Sequence, residues 1–416
     1  MKEYTIVDIG SSSIRTANIC ENMMIRDMQV KKRKINKCFQ PENEWSAVEQ
    51  LLSGMVHDNT EAVIVSSLLG WIGVDINGRA VTPCYSYMHQ ENEVYKDTKG
   101  LFSEQQYIEI CGRKAAPEWL AFKLYALKLK NPEVYQRIYK IVSLKDYINY
   151  MLTGEFAEDY TTAAYTCLFD ISKKNWSKKL LEGFGLDAGM LPELKAPSEI
   201  LAALKPQLCK AWKLDHGSPS VMTGSVDGST AVLGTGGFES GVSVNVMGTT
   251  DVFFTPSRKI TKINQDALIV NPHVIPGLWL TGGPMGMFGG TVDWLVNHMM
   301  EGSRNIEEWT KRAELIAPGS GDLNVFPCMA GERAPFWNGQ FTGTILGLGL
   351  QHSPAHILRG IMEAEGYTVK HMIEKSQEMG VLCSSIRTIG GGARNDLWLQ
   401  IKADITGKPV SRMKIS

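Results

Sequence analysis

The chain has 416 residues, with 43 basic and 44 acidic side chains and a net charge of −1. Its hydrophobic content of 44%, charged content of 21% and aromatic content of 9% are those of a folded globular protein and exclude disordered, collagen-like and fibrous classes. So neutral a chain has no overall field to draw it to nucleic acid or an anionic membrane, and no window offers the ~20 uncharged apolar residues of a bilayer span. At roughly 150 residues per domain, two or three domains are expected. The eight cysteines are scattered without a C-x-x-C pair, and the N-terminus lacks the basic, apolar, small-residue order of a signal peptide. A reduced, cytoplasmic setting is the expectation.

In chain order, Thr5 to Asp8 reads as a strand, Gly10-Ser11-Ser12-Ser13 as a turn and Ile14 to Cys20 as a second strand. The basic run Lys31 to Lys34 reads as a solvated strand edge, because nothing aromatic interleaves it. Glu44 to Val56 has helical spacing and Ala62 to Val65 is a buried-type strand. Ile72 to Val81 reads as a hairpin on a type I′ Asn77-Gly78 turn. Ser103 to Gly185 is mostly helical in pattern, punctuated by Asn131-Pro132 and Thr153-Gly154.

The texture then turns glycine-rich from Val221 to Gly237, and Ser243 to Phe254 reads as a second hairpin around Gly248-Thr249-Thr250. Helices are expected over 286–299, 305–316, 354–378 and 395–406, with a short strand at 386–389 and another from Pro409 to the end. Trp294 and Met299 are expected in the core. Two halves, each opening on a hairpin with a glycine- and hydroxyl-rich turn, argue an α/β protein of two related domains with a cleft between them.

Four constellations can carry chemistry. At Asp8-x-Gly10-Ser11-Ser12-Ser13, small residues let backbone N–H groups approach a phosphate, Asp8 can hold hydrated Mg²⁺ and Arg15 can reach the same phosphate; a plain serine-rich turn explains the run equally well. Gly248-Thr249-Thr250 is a second such turn. Asp227, flanked by small residues, is either a general base for a substrate hydroxyl or a helix N-cap. Gly390-Gly391-Gly392-Ala393-Arg394-Asn395 joins a strand to a helix and could lie against a flat base, but it is not a dinucleotide fingerprint. His352 and His356 have i, i+4 spacing across Pro354 and no metalloprotease glutamate, so a zinc pair is not expected.

Asp8-Ile-Gly-Ser-Ser-Ser-Ile-Arg15, Gly248-Thr-Thr250 and the run from Gly390 to Val410 resemble the FGGY carbohydrate kinases. Asn131-Pro-Glu133, Leu152-Thr-Gly154, Leu191-Pro192 and Gly331-Glu-Arg-Ala-Pro335 fit the same pattern in order, so the resemblance covers essentially the whole chain. It implies an actin-like, ribonuclease-H-like ATPase fold in two domains, 1–236 and 237–416. It also implies ATP and Mg²⁺ in the cleft, and transfer of the γ-phosphoryl group to a hydroxyl of a sugar, sugar acid or polyol.

By resemblance, Asp227 matches the catalytic base, and Asp8 with Asp227 the metal side. Gly10, Ser11, Ser12, Ser13 and Arg15 match the first phosphate loop, and Gly248, Thr249 and Thr250 the second. Gly289, Asp293, Gly391, Gly392 and Asn395 match nucleotide-contacting positions. The expected partners are a small-molecule sugar or polyol and, optionally, a second copy of the chain, with no nucleic acid and no membrane. An unliganded chain is expected to show an open cleft with Asp8 and Asp227 facing each other across it.

The sequence departs from the family pattern in three places. Ser67-Leu68-Leu69-Gly70 stands where xylulokinases carry Gln-Met-His-Gly, and His89 stands where many relatives have an aspartate. Leu68, Leu69 and His89, with Asp227, are therefore expected to line an altered substrate site that serves xylulose poorly. The chain also stops after the Gly-Lys-Pro-Val strand, which predicts an incomplete second domain. Two other readings follow: a non-catalytic actin-fold protein that binds nucleotide or sugar, or an inactive truncated kinase fragment.

Overall fold

The computed structural model describes residues 2–260, 263, 268–300 and 305–413. The chain divides into two units, Met1–Thr230 with Pro272–Pro276 and Ala231–Asn271 with Gly277–Ser416. Each unit is built on a six-stranded mixed sheet.

In the first unit, strands Glu3–Ile9 and Ser13–Cys20 form the expected antiparallel hairpin, with Asp8 opposite Arg15. Glu3–Ile9 also pairs in parallel with Thr60–Ser67, which pairs in parallel with Ser220–Val226. One face of this sheet is filled by Val7, Ile9, Val63, Val65 and Val221, on which Val48 and Leu52 of helix Pro41–Leu52 and Leu144, Ile148 and Leu152 of helix Leu144–Thr153 pack. An aromatic satellite core gathers Phe102, Tyr107, Trp119, Phe122 and Phe184.

The second unit repeats the opening motif. Strands Val242–Met247 and Asp251–Ser257 are antiparallel, and Val242–Met247 pairs in parallel with Ser385–Ile389. The helix Pro354–Glu378 and the helix Asp396–Thr406, N-capped by Asn395 and closed by left-handed Gly407, lie where the sequence puts them.

Several expectations need correction. Only Gly78 of the Asn77-Gly78 turn has positive φ, and Val74 meets Ala80 in an isolated bridge, so the turn is not type I′ and no second strand forms. The strand Gly70–Val74 pairs instead with Cys84–Ser86 and with Lys140–Ser143, and the latter interrupts the region expected to be mostly helical. Helix Pro41–Leu52 starts before Glu44 because Pro41 takes its first position. Lys31 and Lys32 do lie on the exposed edge strand Ile25–Lys32, but Arg33 is folded inward onto Glu44 at 2.9 Å. Trp294 and Met299 are exposed, 37% and 41%, on the outer side of helix Phe288–His298; Trp294 stacks on His298 instead of entering the core. The expected terminal strand is Val410–Arg412, and residues 414–416 lie outside the described residues.

The end of strand Ser220–Val226 is fixed by a buried charge cluster. Lys145 Nζ contacts Asp159 at 3.2 Å, Glu158 at 3.6 Å and Asp146, and donates to the Thr223 carbonyl at 3.1 Å. Asn149 donates to the same carbonyl at 2.9 Å. Gly224 follows at φ +72°, where a Cβ would lie 2.0 Å from the Val65 carbonyl oxygen, so only glycine permits the bulge that lets the strand reach Asp227. Removing one partner from a buried ion cluster leaves uncompensated charge and costs ~3–5 kcal/mol. Lys145→Met is therefore expected to lower unfolding free energy by about that amount, measured by urea denaturation. A change below ~1 kcal/mol would show that the cluster does not hold the strand.

Candidate active site

In the first unit the candidate residues gather at the carboxyl ends of neighbouring parallel strands, the edge where open α/β sheets bind ligands. Asp8 is level with Ser66, and Ser66 with Ser225. Asp227, two residues beyond Ser225, therefore lies two strand spacings from Asp8, about 10 Å across the sheet. Both carboxylates belong to the same unit, which corrects the expectation that they face each other across a cleft.

Asp227 opens helix Asp227–Gly234 and is partly exposed. Its Oδ1 accepts the Gly228 N–H at 2.7 Å, while Oδ2 makes no hydrogen bond among the described residues. Its pKa is raised to about 7, chiefly because burial disfavours the charge; the Gly228 hydrogen bond opposes this and the charge of Asp8 adds to it. Asp8 is also raised by burial, with Arg15 pulling the other way through a 3.2 Å ion pair. At 53% and 37% exposure, that pair is a surface contact worth less than ~1 kcal/mol, so its arginine can be recruited elsewhere at little cost.

The turn between these strands is closed by the Gly10 N–H donating to the Ser13 carbonyl at 2.9 Å. Ser11 and Ser12 are exposed at its tip, whereas Ser13 is 6% exposed and its side chain is packed away.

In the second unit three of the sequence-selected segments meet. The turn Gly248-Thr249-Thr250 follows strand Val242–Met247, with Thr249 exposed at its tip. Gly390, Gly391 and Gly392 follow the parallel neighbour strand, and Gly390 and Gly392 pack against Met247. Gly289, in the first turn of helix Phe288–His298, lies so close to the hairpin turn that a Cβ would sit 2.1 Å from the Gly248 carbonyl oxygen, and the Gly290 N–H donates to the Thr249 carbonyl at 3.0 Å. Gly391 has open space around it and Asp293 is exposed. Asn395 is committed elsewhere: its Oδ1 caps the helix through the Trp398 N–H, and its amide donates to Thr310 at 2.9 Å.

The substrate positions fare differently. Leu68 is 2% exposed in the sheet core, so its side chain does not face a ligand. Leu69 is partly buried and packs toward the aromatic core. His89 bridges the Glu91 carboxylate at 2.8 Å and the Cys38 thiol at 3.4 Å, with Lys130 on the other oxygen of Glu91 at 2.8 Å. Its imidazole is thus held in a chain of its own. His352 and His356 contact ring to ring, with His352 accepting from Gly349 and His356 completing the Ser353 cap, as an N-terminal helix turn requires.

Sequence reading missed the two buried lysines behind these sites. Lys402, 0% exposed, contacts Glu365 at 2.9 Å, the Met247 sulfur at 3.1 Å and Asn245. Trp398 donates to the same Glu365 at 3.2 Å. The available signal is the i, i+4 spacing of Trp398 and Lys402 inside the last motif, which puts both on one helix face.

Two α/β units, each carrying an antiparallel hairpin beside a parallel strand and a small-residue turn at the strand ends, have the actin-like ATPase fold. Solved structures with this fold include a ligand-bound xylulose kinase from Lactobacillus acidophilus (TM-score 0.90, 22% identity, covering 100% of this chain and 86% of that one). A glycerol kinase from Plasmodium falciparum with ADP gives a TM-score of 0.89 at 18% identity, covering 100% and 86%.

The family models for the FGGY carbohydrate kinases match residues 4–234 with the N-terminal domain and 243–416 with the C-terminal domain. The chain belongs to the FGGY family of carbohydrate kinases, and it is a phosphotransferase acting on alcohol groups with ATP as donor. It is 26% identical to the xylulose kinase of Escherichia coli over 97% of its own length and 85% of that protein's, and 24% identical to the gluconokinase of Bacillus subtilis over 97% and 83%. These matches do not favour a non-catalytic binding protein.

The close approach of Gly289 to the second turn gives a direct test. Gly289→Ala must push the Gly248–Thr249 backbone aside. The KM for ATP is expected to rise at least ~10-fold with little change in the KM for the sugar; an unchanged ATP KM would separate this turn from nucleotide binding.

Proposed function

We propose that the chain transfers the γ-phosphoryl group of ATP to a hydroxyl of a sugar, sugar acid or polyol, with Asp227 as the general base. The observation that carries the reading is Asp227 itself: a carboxylate at a strand end, raised to about 7, with one oxygen uncommitted to any described residue. A base with its pKa near the working pH is ionised often enough to act and basic enough to take the hydroxyl proton as the oxygen attacks. Arg15, released from its weak pair with Asp8, and the exposed Ser11–Ser12 turn supply donors for phosphate oxygens. In the second unit the Thr249 turn and the open Gly391 backbone offer a surface for the nucleotide.

Asp8 and Asp227 fit a hydrated divalent cation. They are two hard oxygen donors, and the charge of Asp8 adds to the rise that burial chiefly causes at Asp227. Mg²⁺ is commonly held by one or two carboxylates together with water and substrate phosphates. When bound, Mg²⁺ would neutralise charge on the phosphates.

Asp227→Asn is expected to keep the fold and ATP binding while lowering turnover by ~10²–10⁴. In the parent, protonation silences the base, so kcat should fall as pH drops through about 7, the value to which Asp227 is raised. Near-normal turnover in Asp227→Asn, or a rate flat from pH 5.5 to 8, would remove Asp227 from the role.

The acceptor belongs to the ketoses, aldonates or polyols. Leu68 is buried and His89 is tied to Glu91 and Cys38, so neither offers a ready hydrogen bond to a substrate hydroxyl. An unpaired hydroxyl costs about 1–3 kcal/mol. D-xylulose is therefore expected to be a weak substrate in an ADP-release screen. Efficient turnover of D-xylulose would show that other residues have taken over that contact.

A further inference from the structure

Tyr165 belongs to a segment tied to the strand that carries the proposed base, and it is not among the residues the sequence points to. It lies in the short turn Ala164–Thr166, directly after helix Tyr160–Ala163. That helix is tied to the base-bearing strand: the Thr161 hydroxyl is 2.6 Å from the Ser225 hydroxyl, two residues before Asp227. Asp159, from the Lys145 cluster, caps the same helix through the Thr161 and Thr162 N–H groups. The segment carrying Tyr165 and the strand carrying Asp227 are therefore fixed to one another inside the first unit.

The ring of Tyr165 is held on its face. The Arg113 guanidinium carbon lies 4.3 Å from its centroid and 5.2 Å from that of Trp119, and the two aromatic rings are 6.0 Å apart. Arg113 is 1% and Trp119 7% exposed, so this stack is a rigid wall, while Tyr165 remains partly exposed. Its phenol oxygen makes no hydrogen bond among the described residues, although a tyrosine in such a setting usually finds one. Burial raises the phenol's pKa; Arg113 counters this and the charge of Asp227 adds to it, so the group is a neutral O–H donor at working pH.

We propose that Tyr165 is a specificity residue: its phenol hydroxyl hydrogen-bonds a second oxygen of the acceptor, next to the hydroxyl that faces Asp227, with Arg113 and Trp119 fixing the ring. The proposal rests on Asp227 being the base. It assigns the acceptor to compounds bearing oxygen on the carbon adjacent to the reacting one, and it makes simple monohydroxy alcohols poor substrates.

The test is steady-state kinetics on the full chain with a panel of D-ribulose, D-xylulose, D-gluconate, glycerol and 1-propanol. Tyr165→Phe keeps the ring stack and removes only the O–H. It should raise the acceptor KM about 3- to 10-fold while leaving the ATP KM and melting temperature unchanged. Tyr165→Leu, which also loses the stack, should raise the KM further. An unaltered acceptor KM in Tyr165→Phe, or 1-propanol turned over as well as glycerol, overturns the proposal while an inactive Asp227→Asn leaves the base assignment standing. If Asp227→Asn keeps parental activity, the base assignment fails and this proposal fails with it. If the parent phosphorylates no member of the panel, the proposal is likewise rejected.

Discussion

A lysine sealed beneath each functional strand end is the constraint on which the rest of the structure depends. Lys145 and Lys402 are both 0% exposed, and a buried ammonium is tolerable only when carboxylates and carbonyl oxygens surround it. The geometry demanded by that compensation fixes the neighbouring backbone. In the first unit the demand falls on the Thr223 carbonyl, one residue before the bulge at Gly224 and four before Asp227. In the second it falls on Asn245 and Met247, next to the turn Gly248–Thr250. Glu158 in the first cluster, and Glu365 with its neighbour Asp251 in the second, are pushed above the usual carboxylate range by burial.

The two units use one scaffold for different ends. Both place a small-residue turn between antiparallel strands and set it beside the end of a parallel strand. In the first, the turn tip is left to solvent and the strand ends present two carboxylates, Asp8 and Asp227. In the second, the turn is backed by the helix at Phe288–His298, whose Gly289 allows backbone to touch backbone. The first arrangement presents side chains and the second presents peptide groups, a division suited to a reaction in which one partner must lose a proton and the other is a polyanion.

Much of this was legible in the sequence because it is local. Turn residues between alternating strands mark both hairpins, and Ser353-Pro354 and Gly407 mark helix ends by cap chemistry alone. What escaped detection depends on distant partners. Nothing near Leu68 says that it faces the core, since a leucine after a strand reads the same on either face. Asn395 resembles a ligand donor until Thr310, 85 positions earlier, takes its amide. Trp294 and Met299 fit a helical stripe, yet the helix turns that stripe outward. Tyr165 gives no signal because its partner Arg113 is 52 residues away.

The outermost strand of the first sheet, Ile25–Lys32, is exposed along its whole length and carries Ile25, Met28 and Val30 beside a free backbone edge, with Met23 and Met24 bare just before it. Such an edge is a template on which another extended chain can add itself, and the standard protection is a lysine placed where a newcomer would have to bury it. Lys31 and Lys32 occupy that position. Surface engineering that trims lysines to obtain crystals, or chemical acetylation of the purified protein, would strip this guard and leave the edge open to strand addition, with Asp8 and Asp227 untouched.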